Sequence, residues 1–239
     1  MRKIIGFSFW ILFTAMSLAL FTQCTDDNDN PQPQDLIEVD RTYGYTQVNL
    51  GICQNNINNL PSEALSTEEE AGILFMREEE KMARDFYLNM YQKWNALIFN
   101  NISASEETHF AAMLMLINKY GLTDPAANNA VGEFTDTTLQ GLYTDLIAQG
   151  ETSLAEALSA GAVIEEVDIL DLENQLDNLV DNQDLTLVYT NLLAASKNHL
   201  KAAVKNLQTQ GVTYVPLYLT QEAYDDIINS DWDHGHHGG

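Results

Sequence analysis

Four long stretches of this chain repeat their apolar residues every three or four positions, and each carries an ionisable residue inside the apolar stripe. Such spacing defines one face of an α-helix, so the chain is committed to helices that pack stripe against stripe. A charge on such a stripe is costly unless it is paired or holds a metal ion. The same positions therefore constrain both the fold and the chemistry.

The first stretch opens at Ser66, which forms a capping box with Glu69, and runs to about Trp94. The second covers about Ser103 to Tyr120, where Gly121 and Asp124-Pro125 stop it. A long connection over residues 122–152 follows, containing a short amphipathic piece from Thr137 to Gln149. The third stretch spans Ser153 to about Asp181 and the fourth Asp184 to Gln208, with a tight turn between them. No segment alternates convincingly with period two, and no internal repeat is visible. Short loop, long crossover, short loop is the connectivity of ferritin-like proteins. The expected fold is all-α: a four-helix bundle over residues 61–210 with one long crossover and a short C-terminal extension over 211–239.

On the first helix Ile73, Met76, Ala83, Tyr87, Tyr91 and Trp94 form the stripe, and Glu80 stands within it. Glu79 lies about 100° away and Glu78 farther round, which makes them less central. The second stripe contains Glu106 and His109 at i, i+3. The third has Glu165 near its centre and Asp168 at its side, and Glu166 points away. The fourth places His199 among Ala195, Ala202 and Ala203, with Ser196 one turn earlier. Single Glu residues on two helices and Glu-x-x-His on the other two are what a di-iron or di-manganese bundle needs. Here Glu80 and Glu165 are the single acids and Glu106 and His109 one motif, but the fourth helix has Ser196-x-x-His199. Asp168 could move the missing charge to the third helix, so a mononuclear or a lopsided dinuclear site stays open beside a symmetric one.

Glu80-Lys-Met-Ala83-Arg84-Asp-Phe-Tyr87 is similar to the first-helix pattern of rubrerythrins, Glu106-Glu-Thr-His109 to the second, and Glu165-Glu-Val-Asp168 to the third with a shorter second acid. More closely, from Glu78 to Leu200 the chain resembles the uncharacterised ferritin-like family known as domain of unknown function 2202, through its REEEKMARD, SEETH, IEEVDI and SKNHL elements and its YGL-Asp-Pro turn. The resemblance implies a ferritin-like bundle with a metal centre at Glu80, Glu106, His109, Glu165 and His199, and supplies no established activity.

Plainer roles compete at several positions. Glu106 lies three residues after Ser103 and can be a capping acid at a helix start. A lone histidine such as His199 is more often a hydrogen-bonded core residue, Tyr87 a core aromatic, and Arg84 one half of a solvated ion pair. The metal reading rests on five candidates of the right type falling on four inward stripes.

Upstream, Arg2 and Lys3 followed by the apolar run Ile4 to Phe21 read as a secretory signal over residues 1–23, and Cys24 follows a loose lipobox. Lipidation at Cys24, an acidic tether over 24–60 and a place on the outer membrane of the cell envelope, periplasmic or surface-exposed, are expected. Cys53 is then the one remaining thiol and reads as a small buried hydrophobe. The tail holds His234, His236 and His237 among Asp and Gly and is expected to be mobile. With 35 acids against 11 bases the chain cannot neutralise phosphates, which excludes nucleic acid as a partner. No phosphate loop, nucleophile elbow or CxxC motif is present.

The functional expectation is a metal-binding envelope lipoprotein whose centre holds iron, with manganese as the alternative, and acts as an oxidoreductase on oxygen, peroxide or Fe(II). The alternative is a lipid-anchored helical interaction module with a degenerate site. Expected partners are metal ions, the membrane through the lipid, and, as an open alternative, a second copy of the chain.

Overall fold

Ser66 starts the first long helix as its spacing to Glu69 predicts: in the computed structural model the Ser66 hydroxyl accepts from the Glu69 amide, and the Glu69 carboxylate accepts from the Ser66 amide. The structure describes residues 35–42 and 44–235. In chain order they form β1 (Ile37–Asp40), β2 (Tyr45–Val48), α1 (Leu50–Asn59), α2 (Thr67–Trp94), α3 (Leu97–Tyr120), α4 (Thr137–Gly150), α5 (Leu154–Asn174), a π-helical turn Gln175–Leu179, α6 (Gln183–Thr209) and α7 (Gln221–Asn229). The fold is all-α apart from one small hairpin.

The four long helices form a helical bundle. Helix α2 packs most extensively on α3 and α5 on α6, while α2 also meets α5 and α3 meets α6. The turn between α2 and α3 is only two residues long and uses Asn95 at φ 52°, a left-handed conformation that asparagine tolerates. Two apolar clusters form the core, one containing Met82, Phe86, Ile102 and Leu200, the other Met76, Met113, Leu172, Val188 and Leu192. Along α2, α3 and α6 the ionisable stripe residues fall between members of these two clusters.

The crossover is held by polar residues of α2. Arg77 binds Asp124 through both Nε, at 3.1 Å, and Nη2, at 2.9 Å. Glu78 accepts from the amides of Thr135 and Asp136 at 2.6 and 2.8 Å, at the start of α4. Lys81 donates to Asp85 at 2.7 Å and to the carbonyls of Ala130 and Glu133. Arg84 pairs with the exposed Glu107, the solvated ion pair expected of it, and also with the buried Asp85.

Several expectations need correction. Residues 37–59 are not tether: β1 and β2 pair antiparallel with Ile37 opposite Val48, and α1 follows. Four-residue strands are too short to show period two against the surrounding polarity. The second long helix begins at Leu97, not Ser103, so Glu106 lies well inside it and cannot be a capping acid. The third ends as α-helix at Asn174. Glu166, expected to point away, is buried, and so are the off-centre Glu78 and Glu79. Glu166 accepts from the Tyr214 hydroxyl and from the amides of Leu217, Tyr218 and Leu219, which fastens the C-terminal extension to α5. The start of the tail is also fixed: Asn198 exchanges hydrogen bonds with the backbone of Asp233, and Arg41 meets His234 at 2.9 Å. Cys53 is buried and free, and burial pushes its thiol up to about 12. The signal segment, Cys24, His236 and His237 lie outside the described residues. Among those described, no helix is long and apolar enough to cross a membrane.

Candidate metal centre

Each of the four long helices delivers its stripe residue to one place. Glu80 comes from α2, Glu106 and His109 from one turn of α3, Glu165 from α5 and His199 from α6, and all five are essentially without solvent exposure. They form two triads that share a member. Ligand atoms of Glu80, Glu106 and His109 lie within 4.8 Å of one another, and so do those of Glu106, Glu165 and His199. Nδ1 of His109 is 2.8 Å from Oε2 of Glu106 and 3.5 Å from Oε2 of Glu80. Nδ1 of His199 is 2.7 Å from the other Glu106 oxygen, Oε1, and 3.6 Å from Oε2 of Glu165. The two imidazoles stack at 5.5 Å with planes 17° apart. One carboxylate thus faces a histidine with each oxygen, which is the placement of a ligand shared by two ions.

The outer edges of both rings are held by the hairpin. Nε2 of His109 lies 2.9 Å from the Thr46 carbonyl, an acceptor, so this nitrogen carries a proton and leaves Nδ1 for a ligand. The Thr46 amide donates to Nε2 of His199 at 3.2 Å, so this nitrogen accepts and the ring proton lies on Nδ1 toward Glu106, while Ser105 Oγ lies 3.1 Å from the same Nε2 and its hydroxyl donates to the Thr46 carbonyl. Tyr87 donates to Glu165 and to the Gly161 carbonyl. A Cβ at Gly161 would stand 3.0 Å from the Tyr87 ring and hydroxyl, tight enough that the tyrosine would have to give by a few tenths of an ångström.

Without metal, protons carry the positive charge. Burial raises Glu106, but the charges of His109 and His199 overcome it and hold its carboxyl well below the carboxylate range. Burial lowers both imidazoles, yet Glu106 and then Glu80 keep His109 well above its ordinary value, and Glu106 with Glu165 lifts His199 to about 9. Burial raises Glu80 to about 7 against the opposing pull of His109. Burial also raises Glu165, against His199. Even so, both Glu80 oxygens and His199 Nδ1 are buried without a well-aligned hydrogen-bond partner. Buried polar atoms left open in this way, on carboxylates and imidazoles, fit divalent cations.

The structure therefore brings five of the six sequence candidates together and sets Asp168 beside them. Asp168 accepts from Ser196, so the serine that replaces the expected acid on α6 serves the neighbouring carboxylate. Sequence reading missed Thr46 and Ser105. Ser105 opens the SEETH element, but a serine beside the acid and histidine of that element carries no ligand signal of its own, and Thr46 contacts the site chiefly through its backbone, which side-chain chemistry does not reveal.

The comparisons with known proteins agree with this architecture. The chain is 44% identical over 179 residues to the uncharacterised protein MJ0754 of Methanocaldococcus jannaschii, covering 75% of this chain and 96% of the relative. The crystal structure titled as that hypothetical protein aligns with a TM-score of 0.71 at 43% identity, over 73% of this chain and 99% of the other. The family model described as an uncharacterised protein domain, DUF2202, matches residues 69–231, from the first turn of α2 to just past α7, leaving β1, β2 and α1 outside the match. That match takes in every residue of both triads, and the chain belongs to the DUF2202 family.

Proposed function

We propose that this protein is a ferritin-like metalloprotein whose bundle holds two iron ions, or two manganese ions, and acts as an oxidoreductase on oxygen, peroxide or Fe(II). The observation that carries the reading is the sharing of Glu106 between two buried carboxylate and histidine triads. Glu80, Glu106 and His109 would hold one ion and Glu106, Glu165 and His199 the other. Reduction of peroxide to two waters consumes two electrons and two protons, and two iron or manganese ions held by these residues, each able to change by one unit of charge, would supply that two-electron chemistry. The chain's own residues orient the ligands and manage protons. Thr46 and Ser105 fix the imidazoles, and Tyr87 holds a proton against Glu165 in a site closed to water. The signal-like segment and Cys24 support an envelope lipoprotein as the setting.

Elemental analysis of untagged protein expressed with iron or with manganese tests this directly. About two ions per chain are expected from the two triads; protein that takes up neither metal overturns the reading. A second reading, an interaction module with a degenerate site, draws on Ser196 standing where an acid is expected and already engaged by Asp168. It gives metal-free protein with unchanged melting behaviour.

Metal binding should also release protons. Each ion needs an imidazole nitrogen free of its proton, whereas Glu106 raises both imidazoles above their ordinary value, His199 to about 9. Below that value the ion on the His199 side displaces one histidine proton, so its affinity falls by about 10-fold per unit as pH drops from 8 to 7. Below about 7 protonation of Glu80 steepens the loss on its side. Calorimetric titration in buffers of different ionisation enthalpy reads the proton count, and pH-independent affinity would contradict this electrostatic account.

A further inference from the structure

The two imidazoles meet one and the same residue of the hairpin with opposite polarity. Nε2 of His109 donates to the Thr46 carbonyl, so this ring already keeps its hydrogen on the outer nitrogen, with Nδ1 facing Glu106 and Glu80. His199 instead receives the Thr46 amide on Nε2 at 3.2 Å. A nitrogen that accepts has no hydrogen of its own, so the hydrogen of this ring sits on Nδ1, 2.7 Å from Oε1 of Glu106. His109 is therefore set as a ligand in advance and His199 is not.

An imidazole that ligates through Nδ1 carries its hydrogen on Nε2. On His199 that hydrogen would face the amide hydrogen of Thr46, and two buried donors turned on each other are both left unpaired, which is costly. The peptide is not free to swing aside: Asn198 donates to the Thr46 hydroxyl at 3.1 Å, and the Val48 amide donates to the Thr108 hydroxyl at 2.9 Å. The acceptor within reach is Ser105 Oγ, 3.1 Å from the same Nε2. Its own hydrogen goes to the Thr46 carbonyl, which leaves its lone pairs to accept. Thr46, Ser105 and His199 are all fully buried, so the protein itself has to provide that acceptor.

We propose that Ser105 is the positioning residue that makes His199 a metal ligand, by accepting its Nε2 hydrogen, and that the centre consequently fills in order. The position of Glu80, Glu106 and His109 takes the first ion tightly, and that of Glu106, Glu165 and His199 takes the second more weakly. The order of filling rests on the metal reading of the two triads; the placement of the His199 hydrogen before metal enters does not.

Zn2+ titration of the full chain, followed by 15N NMR of the imidazoles, tests the proposal on the wild type, Ser105→Ala and Ser105→Thr; Zn2+ accepts imidazole and carboxylate ligands and is diamagnetic. In metal-free protein at about pH 10, above the His199 value of about 9, the His199 hydrogen is expected on Nδ1. The first equivalent of Zn2+ should shift His109, and the second should move the His199 hydrogen to Nε2. Ser105→Ala is expected to keep the first ion and to weaken the second by about 10–100-fold, and Ser105→Thr, which keeps the hydroxyl, to recover most of that loss. If neither variant folds, the wild-type spectra decide. A His199 hydrogen found on Nε2 before metal enters, two ions bound with equal affinity, or both ions weakened alike in Ser105→Ala overturns the proposal and leaves the metal reading standing. Protein that binds no Zn2+ overturns both.

Discussion

Glu106→Ala is expected to empty both metal positions at once, whereas Glu80→Ala and Glu165→Ala should each cost about one ion. The difference follows from position: Oε2 of Glu106 meets His109 and Oε1 meets His199, while Glu80 and Glu165 each serve one triad. Elemental analysis of the three purified variants reads it. The same substitution should act on the metal-free protein, because Glu106 is the largest influence raising both imidazoles against burial. Without it, burial prevails and both histidines should titrate well below their wild-type values, which NMR of the imidazole protons can follow. Glu106→Ala protein that keeps one ion would show that the carboxylate is not shared, and would reduce the site to a lopsided one.

The largest effect on stability is expected from Asp85→Ala. Asp85 has no solvent exposure and accepts from Lys81 at 2.7 Å, from Arg84 at 2.8 and 2.9 Å, and from the Gly132 amide at 2.9 Å. Lys81 is itself 2% exposed and pins the crossover through the carbonyls of Ala130 and Glu133. Removing the carboxylate leaves a buried ammonium without its counter-charge, for which a loss of about 3–5 kcal/mol is ordinary. Denaturant unfolding of wild type and variant measures it. A double substitution, Lys81→Met with Asp85→Leu, should recover much of the loss, since a buried pair replaced by apolar groups of similar volume is often neutral. A single variant within about 0.5 kcal/mol of wild type would mean that the pair contributes nothing and that the crossover is held by Arg77 and Glu78 alone.

Much of the bundle can be read from the chain because its signals are local. Ser66 and Glu69 announce a helix start by a spacing of three, and the apolar stripes repeat with the helical period whatever they pack against. The start of α3 is misplaced for the same reason. Ala96 caps it without a side-chain bond, so the Ser103 and Glu106 pair offers a stronger local signal six residues too late. Burial is harder to read. Glu78, Glu79 and Glu166 lie off the apolar stripes, yet all three are covered: Glu78 by the crossover, Glu166 by the C-terminal extension, and Glu79 by α5. Helical spacing shows which way a side chain points along its own helix, not which distant segment returns to cover it.

By itself, then, the sequence determined that the chain is helical, which apolar stripes the long helices turn inward, and that five carboxylates and imidazoles stand on those stripes. Each of these depends on a repeat of three or four residues or on the chemistry of one side chain. Only the tertiary structure decided that Glu106 stands between the two histidines, that Ser196 serves Asp168, and that the Thr46 backbone closes over both rings. Those relations join residues up to 153 positions apart in the chain, and they are set by how helices and hairpin pack, where a shift of a few ångströms separates a shared ligand from an isolated acid.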